Sequence, residues 1–215
     1  MKTLRRMGSG CAYTLVELLM TILAAMVVFL VLLPQSHCHC KSVQINCVNN
    51  LKQVGLAFRL WSGDNNDMYP MRALTNSTGA LLFADETNGF RYFLAMSNEL
   101  NTPKILSCPA DTRIPATNFG AAFNGKHISF FVGLQADETL PTAFLAGDRN
   151  ITNGLKSVNG ILELTTNQNI SWTQDLHNNQ GNIGLADGSV QKVSNNALKT
   201  LVAHTGFATN RLLMP

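Results

Sequence analysis

Cysteine and histidine have the widest range of chemistry in this sequence, since they form disulfides, bind metals and transfer protons. They are most concentrated at His37 to Cys40, where the order is His-Cys-His-Cys and all four side chains are zinc-ligand types. On a helix, however, residues two apart point in directions that differ by about 200°, so either pair would chelate a metal poorly. We therefore predict no metal site.

The chain has five cysteines, an odd number, so they cannot all be paired within one chain. Cys47 falls on an apolar helical stripe, and Cys108 follows the strand-like pair Ile105-Leu106. In an oxidising compartment these two cysteines could form a disulfide; otherwise they would be two buried thiols. The sequence leaves both alternatives open.

His177 and Asp187 are separated by nine residues, and Gly188 directly follows the aspartate. One interpretation is a site in which the two side chains contact a partner or act as a proton-dependent switch. The other is structural: Asp187-Gly188 forms the type I′ turn of a hairpin, and His177 is a loop residue hydrogen-bonded to it. We favour the structural interpretation, because the turn alone accounts for Asp-Gly.

The other acidic residues do not indicate an active site. Neither Asp111 nor Asp148 has a nucleophile or a base at a spacing typical of a catalytic motif. Aspartate is common in turns, which explains both residues. The chain has no Gly-x-Ser-x-Gly, no His-Glu-x-x-His and no Gly-rich phosphate loop. The polar loop from Ser62 to Pro70 lacks the spacing of an EF-hand. We predict a protein that is not an enzyme and has no cofactor.

Charge is unevenly distributed along the chain. Lys2, Arg5 and Arg6 lie in the first 12 residues, which contain no acidic residue. The rest of the chain has 13 basic and 13 acidic residues, so the net charge of +3 comes from this head. Because the body is neutral and has no Lys/Arg patch, we predict no nucleic-acid partner.

An almost uninterrupted apolar run follows the basic head. Thr14 to Leu33 is 20 residues long with a single charged residue, Glu17. As a helix it would be about 30 Å long, which matches the core of a bilayer. The charge asymmetry places the N-terminus in the cytoplasm and the body outside. A carboxylate is costly in lipid, so Glu17 needs a functional reason.

The body opens with a second helical pattern. An apolar stripe at spacings of three and four predicts a helix that lies on a domain and stops near Gly63; its members are Cys47, Leu51, Val54, Phe58 and Trp61. Further along, the pattern predicts a helix within 80–96, strands at 128–132 and 142–146, a hairpin over 181–193 and a short helix at 198–202.

The segment Tyr13-Thr14-Leu15-Val16-Glu17-Leu18-Leu19 resembles the N-terminal motif of type IV pilins and type II secretion pseudopilins. In that family a prepilin peptidase cleaves before an aromatic residue and then methylates the new N-terminus. The resemblance implies cleavage between Ala12 and Tyr13, with Ala12 where the family usually has Gly, and methylation of Tyr13. Because a buried carboxylate attracts a nearby amine strongly, Glu17 would pair with the Tyr13 amine of its own or the next subunit during assembly.

Three further segments resemble a large bacterial group of prepilin-like proteins. The first is His177 followed by nine residues and Asp187-Gly188; the others are the helix segment from Cys47 to Ala57 and the loop from Cys108 to Asp111. With the N-terminal motif, these matches run from residue 12 to about 193 and keep their order. The resemblance leaves the role of the His and Asp-Gly pair open.

The resemblance implies an α+β fold, in which a long N-terminal helix, membrane-spanning in its first half, packs on a small antiparallel sheet. The expected divisions are a leader at 1–12, a transmembrane helix at 13–33, its continuation as the spine of the body at 34–61, and an extracytoplasmic domain at 62–215.

The function implied is that of a structural subunit, processed by prepilin peptidase and assembled with other pilin or pseudopilin subunits into a type II secretion pseudopilus or a pilus-like fibre. The chain would cross the inner membrane once, with its body periplasmic, and then enter a periplasmic or cell-surface fibre. The alternative is a membrane-anchored extracytoplasmic binding module that recognises an exported partner or a glycan.

Overall fold

The computed structural model describes residues 14–32, 39–74 and 88–215. The chain divides into two compact units, one that ends at Cys38 and one that runs from His39 to Pro215. The first unit contains one described helix, α1 (Leu15–Leu32), and the second contains all the other described elements.

Helix α1 begins with a capping box. The Glu17 carboxylate accepts hydrogen bonds from the Thr14 backbone N–H and hydroxyl, each at 3.3 Å, and the Glu17 N–H donates to the Thr14 hydroxyl at 3.3 Å. This reciprocal arrangement satisfies backbone groups that the first helical turn leaves unpaired. Glu17 therefore has a local structural role that the sequence analysis did not consider.

The predicted transmembrane segment at 13–33 is not supported. Helix α1 has 18 residues, so it rises about 27 Å, less than the ~30 Å of a bilayer core. Within the described ranges, no helix is both long and apolar enough for a membrane crossing. Single-pass anchoring in the inner membrane, and the localisation built on it, are therefore wrong for the structure described.

The second unit opens with α2 (His39–Gly63), whose apolar stripe is buried at every predicted position from Cys47 to Trp61. Six further helical segments follow: α3 (Pro70–Ala73), α4 (Phe90–Ala95), α5 (Ser97–Leu100), two 3₁₀ turns (Pro103–Leu106 and Gly125–His127) and, after most of the strands, α6 (Asn195–His204).

Eight strands complete the second unit: β1 (Phe130–Gly133), β2 (Phe144–Asp148), β3 (Ile151–Thr152), β4 (Ile161–Leu164), β5 (Ser171–Trp172), β6 (Gln180–Leu185), β7 (Val190–Ser194) and β8 (Asn210–Leu213). Six of them form one antiparallel sheet in the order β4-β8-β1-β2-β6-β7. Strands β3 and β5 form a separate pair. The strand near the end of the chain, β8, thus lies inside the sheet between β4 and β1.

Both faces of the sheet are covered, because strand side chains alternate between them. In β1, Phe130 and Val132 join the core cluster that contains the α2 stripe, whereas Phe131 joins the cluster that contains Leu198 and Val202 of α6. Strand β1 is therefore buried along its whole length. The result is three layers, with α2 on one side of the sheet and α6 and the β3–β5 pair on the other.

The predicted hairpin is present as β6 and β7, but its turn differs from the prediction. Gly188 has φ +85°, and Asp187 is not among the described residues with positive φ. A type I′ turn needs positive φ at both central residues, whereas a three-residue loop with one left-handed glycine does not. The Gly188 N–H donates to the Leu185 carbonyl at 2.9 Å, and the Leu185 N–H donates to the Ser189 carbonyl at 2.9 Å.

The predicted fold class, a long N-terminal helix packed on a small sheet, is wrong. The sheet has six strands and several short helices accompany it, and the helix against the sheet is α2, which begins at His39. The apolar helix α1 ends at Leu32 and belongs to the other unit. The prediction treated two helical patterns as one long helix; residues 33–38, which connect them, lie outside the described residues.

Gly133 provides a test of the sheet. A Cβ atom at this position would overlap the backbone carbonyl of Phe144 on the neighbouring strand β2. Unlike a side chain, this carbonyl cannot rotate away. We expect Gly133→Ala to lower the free energy of unfolding by about 1–3 kcal/mol, measured by urea denaturation. Gly63→Ala is the matched control, because nothing lies within 4 Å of its added Cβ. Equal stability of the two variants would contradict this packing.

Candidate functional site

A disulfide joins helix α2 to the segment that follows the first 3₁₀ turn. Its sulfurs belong to Cys47 and Cys108, which are both fully buried. Next to it, the Asn50 side-chain amide donates to the Ser107 carbonyl at 3.0 Å. Of the two alternatives that the sequence left open, the structure has the disulfide.

His177 lies against this disulfide. Its Nε2 atom is 3.3 Å from the Cys108 sulfur and 3.5 Å from Oδ2 of Asp148, at the end of β2. The His177 side chain is 3% exposed and that of Asp148 is fully buried. A disulfide sulfur carries no proton, so any hydrogen in the contact with Cys108 must come from Nε2 of the imidazole.

Asn150 holds the loop that carries His177. Its side-chain amide donates to the carbonyls of Thr173, Leu176 and Gln180, at 3.0, 3.0 and 3.1 Å. Three consecutive residues in this loop, 177–179, have φ between +49° and +60°. Left-handed backbone is uncommon for residues other than glycine, although asparagine tolerates it best. The loop is thus held in an unfavourable backbone conformation by contacts from outside it.

Asp148 is a buried carboxyl group with only one of its oxygens hydrogen-bonded. Oδ2 accepts from the backbone N–H and the side-chain amide of Asn182, at 2.7 and 2.9 Å, whereas Oδ1 is buried with no hydrogen-bond partner. The pKa of Asp148 is raised to about 7, chiefly by burial and with a contribution from nearby Asp111, against the lowering effect of the Asn182 donors.

The contact between His177 and Asp148 has the distance of a weak ion pair, but burial disfavours the charges. Burial lowers the pKa of His177, and Lys192 on β7 lowers it further. Both pKa shifts therefore favour the neutral side chains, since a charge costs more in a buried site than in water. The two shifts thus disfavour an ion pair and favour a contact between a neutral imidazole and a carboxylic acid.

The arrangement combines a disulfide, an imidazole and a carboxyl group in one buried cluster. The Cys47 and Cys108 sulfurs and a ring nitrogen of His177 all lie within 4.8 Å of one another, and zinc prefers imidazole and, once the disulfide is reduced, cysteine thiolates. An imidazole beside a disulfide can also give or take a proton when the sulfurs change oxidation state. The cluster is therefore suited to redox and metal chemistry.

His177 and Asp187, which the sequence motif joins, have different partners. The Asp187 carboxylate accepts from the Ser189 N–H at 2.8 Å, and its carbonyl accepts from Arg59 of α2 at 3.1 Å. Among the described residues, no hydrogen bond or ion pair connects Asp187 to His177. Asp187 and Gly188 thus form the hairpin turn, and their predicted hydrogen bond to His177 is absent.

The remaining site predictions lie at the start of the chain. Ala12 and Tyr13 are outside the described residues, so cleavage and methylation there stay predictions. Among the four residues from His37 to Cys40, the first two lie outside the described residues and the last two begin α2.

Three residues of the cluster were missed by sequence reasoning. Asp148 was interpreted as a turn residue, but it is the last residue of a fully buried strand. Asn150 and Asn182 were assigned to a turn and to a hairpin strand, and not to a site, although both are almost fully buried. The sequence did contain a signal for two of them: Asp148 ends an apolar strand and Asn182 lies inside another. Buried polar side chains at such positions need hydrogen-bond partners.

No known protein family, curated protein or solved structure matches the chain. The predicted assignment to pilins and to protein secretion consequently has no support from known families.

Proposed function

We propose that this protein is a structural subunit of a multi-subunit fibre, in which α1 packs against α1 of other copies. The observation that supports this is the surface of α1. Its eleven large apolar side chains that are described are 54–83% exposed in the single chain. A helix that is apolar around its whole circumference is normally buried on all sides. The role agrees with the resemblance of the Tyr13 to Leu19 segment.

Other copies of α1 are suitable partners, because the polar side chains of this helix already make hydrogen bonds at its N-terminus or to its own backbone. Beyond the first turn its one hydroxyl, that of Thr21, donates to the Leu18 carbonyl at 2.9 Å. The Glu17 carboxylate is already bonded at the helix N-terminus. The surface is therefore complementary to an equally apolar helix. Each large apolar side chain that becomes fully buried contributes roughly 1.5–3 kcal/mol.

Leu23→Glu tests this proposal. Leu23 is 57% exposed near the middle of α1, so a carboxylate there would be buried without a partner when helices pack together. We expect at least a 100-fold weaker self-association of the full chain, measured by sedimentation velocity and electron microscopy. Val158→Glu is the control, because Val158 is 73% exposed in the other unit and should leave assembly unchanged.

Two results would contradict the proposal. One is a wild-type chain that stays monomeric at every concentration measured. The other is a Leu23→Glu chain that assembles as the wild type does. Glu17→Gln separates the two roles of Glu17, because glutamine keeps the capping box but not the charge. Normal assembly of this variant would leave Glu17 with a capping role only.

A further inference from the structure

We propose that reduction of the Cys47–Cys108 disulfide creates a zinc site, formed by the two cysteine sulfurs, Nε2 of His177 and the Asp148 carboxylate. The proposal is independent of the fibre role, because it concerns a cluster in the other unit. It rests on the positions of four side chains that come from four separate segments of the chain.

The distances match those of a tetrahedral zinc site. Zinc bonds of about 2.3 Å to sulfur and about 2.0–2.1 Å to nitrogen place neighbouring S and N ligands about 3.6 Å apart. Nε2 of His177 is already 3.3 Å from the Cys108 sulfur, and all three soft ligand atoms lie within 4.8 Å. Two cysteine ligands of one zinc are about 3.8 Å apart, so the sulfurs need only separate once their bond is broken.

Asp148 is well placed for the fourth position. Its Oδ2 is 3.5 Å from Nε2 of His177, which is close to the separation of an oxygen and a nitrogen on one tetrahedral ion. Its Oδ1 is buried without any hydrogen-bond partner. A buried oxygen of this kind is rare, and each instance needs an explanation. A cation ligand site gives one, since Asp148 can bind a metal ion with both oxygens, with Oδ2 on the side of His177 Nε2.

The reaction has two balanced steps. A dithiol reductant gives two electrons and two protons to the disulfide; the S–S bond breaks, two cysteine thiols form, and the reductant becomes a disulfide. Zinc then displaces both thiol protons to solvent and binds the thiolates. The proton on Nε2 of His177 moves to Nδ1 so that Nε2 can bind, and Asp148 releases its carboxyl proton to solvent and binds as the carboxylate.

The same cluster would therefore have two crosslinked states. In the oxidised state a covalent bond connects α2 to the Cys108 segment, and in the reduced state a metal ion connects the same two elements and adds the His177 loop. The loop of residues 177–179, which has positive φ angles, carries the imidazole that contacts the Cys108 sulfur. Local opening of this loop is the route by which the reductant and the metal would reach the buried sulfurs.

Cobalt binding to the reduced chain tests the proposal. The full chain is used with Cys11, Cys38 and Cys40 replaced by serine, so that no other thiol can bind metal. After reduction with a dithiol and anaerobic removal of the reductant, we expect one Co²⁺ per chain, with thiolate-to-cobalt charge-transfer and tetrahedral d–d absorption. Zn²⁺ should displace it, and the oxidised chain should show no such spectrum.

Variants assign the ligands. His177→Ala and Asp148→Asn should each weaken cobalt binding at least 10-fold, with Asp148→Asn keeping the charge-transfer bands. His204→Ala is the control, because His204 is an exposed residue of α6. Far-UV circular dichroism is recorded alongside, and a reduced chain that has unfolded should refold on addition of Zn²⁺.

Three results would overturn the proposal. They are a folded reduced chain that binds no cobalt, a His177→Ala variant that binds as tightly as its parent, and a reduced, unfolded chain that zinc does not refold.

Discussion

Replacing Cys47 and Cys108 together by alanine is expected to lower the free energy of unfolding by about 4 kcal/mol. The disulfide closes a loop with a sequence separation of 61 residues. Opening a loop of that length restores chain entropy to the unfolded state worth about 4 kcal/mol in the loop-closure description. Ordinary domains have a total stability of only about 5–15 kcal/mol, so the loss is a large share of the whole.

This effect can be measured by urea denaturation and by thermal unfolding. For a domain of this size, a loss of about 4 kcal/mol corresponds to a fall in Tm of roughly 8–16 °C. Cys11→Ala is the control, because that residue lies outside the unit that the disulfide closes and should change stability by less than about 0.5 kcal/mol. A double variant within 1 kcal/mol of wild type would show that the bond contributes little.

In the protein with its disulfide intact, Asp148→Asn is expected to have a higher free energy of unfolding than the wild type. This difference should increase as the pH rises from 4 to about 7. Burial raises the pKa of Asp148 from 3.8 to about 7, so folding favours the protonated carboxyl group. Its contribution to stability is complete below pH 3.8 and is lost as the pH rises through 7. A shift of this size corresponds to about 4 kcal/mol. Asparagine has no such titration.

The comparison with the variant isolates Asp148 from its neighbour. The lowered pKa of His177 acts in the opposite direction. The buried imidazole stabilises the fold while it is neutral, so its contribution to stability is lost as the pH falls below the ordinary pKa of histidine. Both proteins contain His177, so that contribution largely cancels in the difference. Asp64→Asn, which makes the same substitution at an exposed position, is the control.

The measurements are urea denaturation at several pH values and carboxyl NMR of Asp148. Parallel stability curves for wild type and Asp148→Asn would contradict the buried neutral carboxyl. If Asp148 were instead ionised in the folded protein, the advantage of Asp148→Asn would grow only as the pH falls below about 4, where the wild-type carboxylate becomes protonated.

The parts of the fold that local patterns encode were predictable. The stripe from Cys47 to Trp61 is buried, and the predicted hairpin is β6 and β7, because helical and strand periodicity are properties of neighbouring residues. Strand β8 was missed as a strand, since Asn210–Leu213 pairs with β1 and β4, which are distant in sequence. Pairing over such distances leaves no local pattern.

The candidate site shows the same limit more sharply. His177 stood out because of its spacing from Asp187, yet its contacts are to Cys108, 69 residues away, and to Asp148. Spacing along the chain identified the histidine but gave it the wrong partner. The partners follow from the order of strands, which brings the end of β2 beside β6 and the loop before it.

The position of β8 inside the sheet also bears on how the protein is made. Until a ribosome has added residues 210–213, β4 and one side of β1 have no neighbour, although every other strand of the sheet has already been synthesised. Unpaired strand edges are the surfaces through which nascent chains associate wrongly. Completion of the sheet therefore waits for β8, and a pause in translation before Asn210 leaves β4 and one edge of β1 unpaired for longer.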